Sequence, residues 1–222
     1  MSTPLSKPAA VAAGLFVLLS VALPARAQRF SLGVEAGVPL TDFTSTPNGV
    51  YQNSINRYAI GATVEARLPW NLAIAADGIY RHYGYAGGPY LENKTNTGDW
   101  EIPLLLKYRF HGKAVRPFVN AGFAIDTLSG TNQSTVQSLI WMIRLGETYT
   151  VVSSDPYELR RTTVAGLPVG GGIDARLGRL HVQPEIRFTR WNGKHFQDYV
   201  PGPTRYFVSN QNQVEFLVGV TF

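Results

Sequence analysis

The sequence contains no cysteine, which excludes disulfides, thiolate nucleophiles and thiolate metal sites. Charge is also scarce: Asp, Glu, Lys and Arg make up 16% of the 222 residues, against about 25% in ordinary soluble domains. Beyond the N-terminal segment no apolar run reaches the roughly 20 residues that a membrane helix needs, and the mean hydropathy of −0.05 excludes a helical membrane bundle. Helical periodicity and interdomain linkers are both lacking. Hydrophobic residues at 45% argue against disorder. The 22 glycines and the 12% aromatic content together suit β-structure with close backbone approach.

The N-terminal segment carries an address. Lys7 precedes an apolar run from Ala9 to Leu23, followed by Pro24 and the small-x-small triplet Ala25-Arg26-Ala27. This order predicts a secretory signal peptide over residues 1–27, with the mature chain beginning at Gln28. Losing Lys7 and Arg26 removes two cations from a formal net charge of +5. The sequence pI of 9.5 therefore overstates any attraction to polyanions. No basic run with interleaved aromatics is present, so a nucleic-acid partner is not expected.

From residue 28 onward apolar and polar residues alternate with the period of a strand that has two unlike faces. Eight such segments cover 30–38, 58–68, 72–81, 100–110, 119–125, 167–177, 182–188 and 214–222. Short turns at 69–71, 111–117 and 177–179 alternate with long polar loops at 40–57, 84–98, 127–163 and 192–211. A closed antiparallel up-and-down barrel explains both alternations, because successive connections fall on opposite rims. The predicted fold is all-β: an eight-stranded transmembrane β-barrel spanning 28–222, with both termini at the short-turn rim.

The composition of the polar face decides which face points inward. It carries the acids Glu35, Glu65, Asp77, Glu101, Asp174, Glu185 and Glu215 and the bases Arg67, Arg81, Lys107, Arg109, Arg176 and Arg187, with mostly Gly, Ala, Ser or Thr between them. Small residues make room inside a narrow barrel for long paired side chains, whereas on an outer wet surface glycine only weakens strands. The near balance of acids and bases suits a buried network, in which each unpaired ion costs several kcal/mol or so. The apolar face is nearly free of charge, as a lipid-facing band requires, because Lys or Arg at mid-depth costs about 2–4 kcal/mol.

Aromatics concentrate at strand ends. Phe30, Trp70, Tyr108, Phe110 and Phe222 are expected at one interface, and Tyr58, Tyr80, Trp100, Phe188 and Trp191 at the other. Three prolines resist the assignment, since a closed barrel has no edge strand where a missing donor is free. Pro103 and Pro168 fall near the long-loop rim, where a bulge is the expected accommodation. Pro184 has no such refuge.

Four segments carry a family likeness: Trp100-Glu101-Ile102-Pro103-Leu104-Leu105-Leu106-Lys107-Tyr108-Arg109-Phe110, the run from Gly170 to Leu180, the run from Pro184 to Trp191, and the ending Gln213-Val214-Glu215-Phe216-Leu217-Val218-Gly219-Val220-Thr221-Phe222. The mature chain resembles the small eight-stranded outer-membrane β-barrel proteins of Gram-negative bacteria, the OmpA/OmpX type. The resemblance implies residence in the outer membrane among its lipids. It also implies that Val214, Phe216, Val218, Val220 and Phe222 form a C-terminal signal read by the barrel assembly machinery. The glycine usual six residues before the end is Leu217 here. The resemblance further implies that proline is tolerated at the Pro103 and Pro184 positions.

Some barrels of this kind are lipid-modifying enzymes, so the histidines bear on catalysis. His111 and His181 fall at the short-turn rim, and neither His82-Tyr83-Gly84 nor His195-Phe196-Gln197 has the serine two residues on that a deacylase-type arrangement requires. No histidine pair has metal-ligand spacing and no cofactor is expected. Gly170-Gly171-Gly172-Ile173-Asp174-Ala175 fits a relaxed nucleotide fingerprint, but strand alternation continues through it where a helix is needed.

The expected role is a non-enzymatic structural or surface-interaction barrel. A narrow solute pore is the alternative, because the small lumen residues leave room for water among charges that would otherwise plug it. The loops carry candidate contacts for an unknown extracellular ligand: Trp141 within the apolar stretch from Val136 to Leu145, and Phe196, Tyr199, Tyr206 and Phe207 in the last loop.

Overall fold

The computed structural model describes residues 30–42, 44–45, 51–53, 57–87, 92–137, 149–153, 159–196 and 208–222. The predicted signal peptide and Trp141, Tyr199, Tyr206 and Phe207 lie outside the described residues. The strands are β1 (Phe30–Pro39), β2 (Thr44–Ser45), β3 (Tyr51–Asn53), β4 (Ala59–Arg67), β5 (Leu72–Gly87), β6 (Glu92–Arg109), β7 (Val115–Gln137), β8 (Tyr149–Ser153), β9 (Thr163–Leu177), β10 (Leu180–Trp191), β11 (Val208–Ser209) and β12 (Asn212–Thr221). Eight of them, β1, β4, β5, β6, β7, β9, β10 and β12, pair in chain order. The ring closes where β1 meets β12 in an antiparallel register from Gly33↔Thr221 to Pro39↔Glu215.

Alternation positions every lumen residue. On β6, Leu104 is 49% exposed while its neighbour Leu105 is 1% exposed. The outward set includes Val34, Ile60, Ile102, Ile125, Val169 and Ile186, all exposed, and the buried positions are rich in Glu, Asp, Arg and Thr. This is the inverse of a soluble domain, and the solvent that suits it is hydrocarbon.

The short-turn rim is built from tight connections. Trp70 and Asn71 both have positive φ (62° and 63°), the pair of left-handed residues that a type I′ hairpin turn demands, and Leu72 N–H donates to Pro69 O at 3.3 Å. Gly178 (φ 65°) occupies the left-handed position of the two-residue β9–β10 turn.

At the opposite rim the strands run farther than the alternation indicated. Residues 84–87 and 92–98, expected in a loop, continue β5 and β6, and 127–137 continue β7, of which 133–137 pair with β8. Alternation fades there because strands that have left the bilayer no longer need an apolar outer face. A bulge at Thr97 sets two residues of β7 against one of β6, with Gly130 at φ 63° supplying the left-handed residue.

The prolines are accommodated without bulges. In an antiparallel strand the N–H and C=O of one residue point to the same neighbour, so a proline disturbs only one of its two ladders. Pro103 pairs with Ala124 of β7, while the β5–β6 ladder skips two pairs beside it and resumes in the same register. Pro168 pairs with Thr189, and the skip falls on β7–β9. Pro184 pairs with Val218, and the skip falls on β9–β10.

Trp191 corrects the expected aromatic belt. It shares parity with Arg187 and Thr189 and is buried, with its Nε1–H donating to Gln213 Oε1 at 3.0 Å. Tyr58, Trp100 and Phe188 remain outward at that level, and Phe30, Trp70, Tyr108, Phe110 and Phe222 are exposed at the other.

Candidate functional site: the lumen and its two mouths

Three layers of ion pairs cross the lumen, each organised by a guanidinium from a different strand. In the layer nearest the long-loop rim, Arg81 of β5 is fully buried. Its Nε and Nη2 donate to Glu215 at 2.6 and 2.7 Å, Nη2 also donates to Glu101, and Nη1 donates to Asp99 at 3.4 Å. In the middle layer Arg187 of β10 donates to Glu185 at 2.7 Å and Asp77 at 3.0 Å and lies 3.9 Å from Glu35. Thr63 completes that layer by donating to Asp77 at 2.7 Å. In the layer nearest the short turns, Arg109 of β6 donates to Glu65 at 2.5 Å and Asp174 at 2.9 Å. Lys107 donates to Gln183 at 2.9 Å, lies 3.4 Å from Glu65, and sits 4.5 Å above the centre of the Phe118 ring.

Apolar side chains also face inward. Ala59, Ile79 and Leu217 form a buried cluster, and Leu105 and Phe118 are likewise buried. The lumen is thus packed with side chains, as the width of an eight-stranded barrel permits.

The structure does not bring all thirteen network residues together. Arg176 is exposed at the short-turn rim, where its Nε donates to Gly178 O at 3.2 Å. Arg67 is 40% exposed and reaches only to 3.7 Å from Glu65. Both lie at strand ends, where a long side chain extends its charge to water. Two further acids, Asp99 and Asp126, are buried. Nine buried acids therefore face four buried Lys and Arg side chains among the described residues, and the expected near balance does not hold. Asp99 and Asp126 carry the lumen parity of Glu101 and Asn120, a signal that extending strands 100–110 and 119–125 by one or two residues would have captured.

The long-loop mouth is covered by the start of the last loop. Phe196, a candidate ligand contact, is completely buried and packs edge-on against Tyr85 with ring centres 5.8 Å apart. It forms a bridge with Leu159, and the His195 carbonyl accepts from the N–H groups of Arg160 (2.7 Å) and Arg161 (3.1 Å). His195 Nδ1–H donates to Arg161 O at 2.8 Å, and Nε2 lies 3.2 Å from Asp126 Oδ2.

Burial pushes the His195 imidazole below the ordinary histidine value of 6.5, outweighing the Arg161 carbonyl and the Asp99 charge, which favour the protonated ring. The open loop thus binds a proton more readily than the closed one. Closure is fully favourable above 6.5 and weakens as pH falls through that value towards the lower pKa of the closed form. Amide exchange protection at Arg160 and Arg161 should decrease between about pH 8 and about pH 5, after correction for intrinsic rates. In His195→Asn the decrease should be smaller.

At the short-turn mouth an open cavity of about 240 Å³ is lined by Arg67, Leu68, Trp70, Asn71, Leu72, Arg109, Arg116, Asp174 and His181. His181 Nδ1 lies 2.7 Å from Asp174 Oδ1.

A closed ring with a hydrocarbon-compatible exterior, a charge-filled lumen and short turns on one rim defines the class: a small transmembrane β-barrel. The family described as Outer membrane protein beta-barrel domain matches residues 24–191, and the chain belongs to that family. It is an outer-membrane protein. Among solved structures it is similar to the outer membrane protein OprG from Pseudomonas aeruginosa, with 14% identity and a TM-score of 0.51 over 87% of this chain and 95% of that one. It is also similar to Neisserial surface protein A, with 16% identity and a TM-score of 0.45 over 86% and 94%. A third likeness is Ail of Yersinia pestis, with 7% identity and a TM-score of 0.42 over 87% and 95%. No curated protein matches.

Proposed function

We propose that this chain is a non-catalytic outer-membrane barrel with a plugged lumen, acting structurally or through surface contacts made by its long loops. The observation that carries the reading is the stack of buried ion-pair layers, in which Arg81 and Arg187 cross the lumen at full burial. A conducting path would have to part these charges, and removing either partner of a buried pair costs about 3–5 kcal/mol. Outer-membrane lipids solvate the apolar face. The alternating ending through Val214, Phe216, Val218, Val220 and Phe222 is the segment proposed to engage the assembly machinery.

Planar-bilayer recordings on the protein purified from outer membranes are expected to show no stable channels. Large, sustained conductance would overturn the plug in favour of the narrow pore. For the interaction role, cells producing variants in which 138–148 or 197–207 is replaced by a short Gly-Ser turn, leaving the paired strands untouched, should lose surface binding while retaining the barrel, as read by the different gel mobility of unboiled and boiled protein.

A further inference from the structure

The short-turn mouth has a charge imbalance that the lumen network does not absorb. Three guanidinium groups, of Arg67, Arg109 and Arg116, line its cavity of about 240 Å³, with Asp174 as the one carboxylate among the lining residues. Arg109 is committed: both Glu65 and Asp174 accept from it. The other two are not matched by acids of their own. The nearest acid to Arg67 is Glu65, 3.7 Å away and already held by Arg109 and Lys107. Arg116 donates its Nε–H to a neutral acceptor, the Gly112 carbonyl, at 2.9 Å. These two forks approach the cavity from different strands, β4 and β7, and His181 adds a ring from β10 that is already anchored on Asp174. Trp70 of the β4–β5 turn forms part of the wall and is itself exposed, at the aromatic level of Phe110 and Phe222.

Planar guanidinium forks that line one cavity from two different strands are suited to a tetrahedral oxyanion, which accepts paired N–H donors on several edges. We propose that the short-turn mouth binds a phosphate group, held between Arg67 and Arg116 and walled by Trp70. The aromatic level places the cavity at headgroup depth, so the group can come from an anionic phospholipid of the adjoining leaflet or from a soluble phosphate ester on that side of the membrane. The proposal is independent of what the loops at the other end do.

The test uses protein purified from outer membranes in an uncharged detergent. Calorimetric titration with pyrophosphate should give saturable binding at one site per chain. Native mass spectrometry after exposure to mixed phosphatidylglycerol and phosphatidylcholine should show retention of the anionic lipid. In the double variant R67Q/R116Q binding should weaken at least about tenfold. In R176Q, which changes an exposed rim arginine outside the cavity, it should be unchanged. The gel-mobility difference between unboiled and boiled protein shows that each variant is folded. Pyrophosphate binding without lipid retention assigns the site to a soluble ester, and lipid retention without pyrophosphate binding assigns it to a headgroup; either supports the proposal. Absence of both, or equal binding by wild type and R67Q/R116Q, overturns it.

Discussion

Replacing Arg81 with methionine is expected to destabilise the folded barrel by about 3–5 kcal/mol. The change removes the guanidinium that, among the described residues, bonds Glu215, Glu101 and Asp99, and leaves three buried carboxyls in one layer. Much of the loss is therefore the cost of stranding the acids and not the worth of the pairs themselves. That distinction is measurable. Combining Arg81→Met with Glu101→Gln and Glu215→Gln should recover a large part of the stability, because neutral amides do not require the missing charge. The urea midpoint for unfolding from lipid vesicles, followed by gel mobility, reads both effects. An unchanged midpoint in the single variant would show that the layer contributes nothing to the fold.

The second large effect lies on the outside. Leu104 is half exposed in the middle of the β6 apolar band, paired with Ala76 on one side and Phe123 on the other. In a soluble protein Leu104→Arg would alter an exposed surface position and shift stability by about ±0.5 kcal/mol at most. In a bilayer the same change places a guanidinium in hydrocarbon and should cost about 2–4 kcal/mol. Measured in vesicles, a neutral or stabilising result would contradict the membrane-facing assignment of this face. Arg190 supplies an internal comparison. It is exposed with the same outward parity, yet it sits at the end of β10 with its Nη1 donating to Asn212 at 2.6 Å, where a cation is at ease.

The sequence made the barrel legible because strand period and face are local properties. Leu104 beside Leu105 reads correctly once Glu101 and Lys107 define the parity. Depth along the axis is not local. Asp99 and Asp126 escape the alternation because the apolar partners that mark a strand run out where the strand leaves the bilayer, while the ladder continues. Parity puts Arg176 and Arg67 with the lumen charges because it says which way a side chain leaves the backbone and not how far it travels to water. Residue type puts Trp191 in the belt, against its parity with Arg187. The ion-pair partners were not legible at all: Arg81 is separated from Glu215 by 134 positions in the chain, and only the closed ring brings them together.

The skipped pairs beside Pro103, Pro168 and Pro184 have a consequence for how the ring can be made and unmade. They fall on the β5–β6, β7–β9 and β9–β10 seams, none of which involves the first or the last strand. That junction is unbroken from Gly33↔Thr221 to Pro39↔Glu215, and mutual hydrogen bonds between Leu32 and Phe222 extend it to the last residue. The seam that must form last, when the two ends of the barrel find each other, is stitched without a dropped stitch. Among the described residues the skipped pairs fall instead between strands that follow one another around the ring and do not include that closing pair.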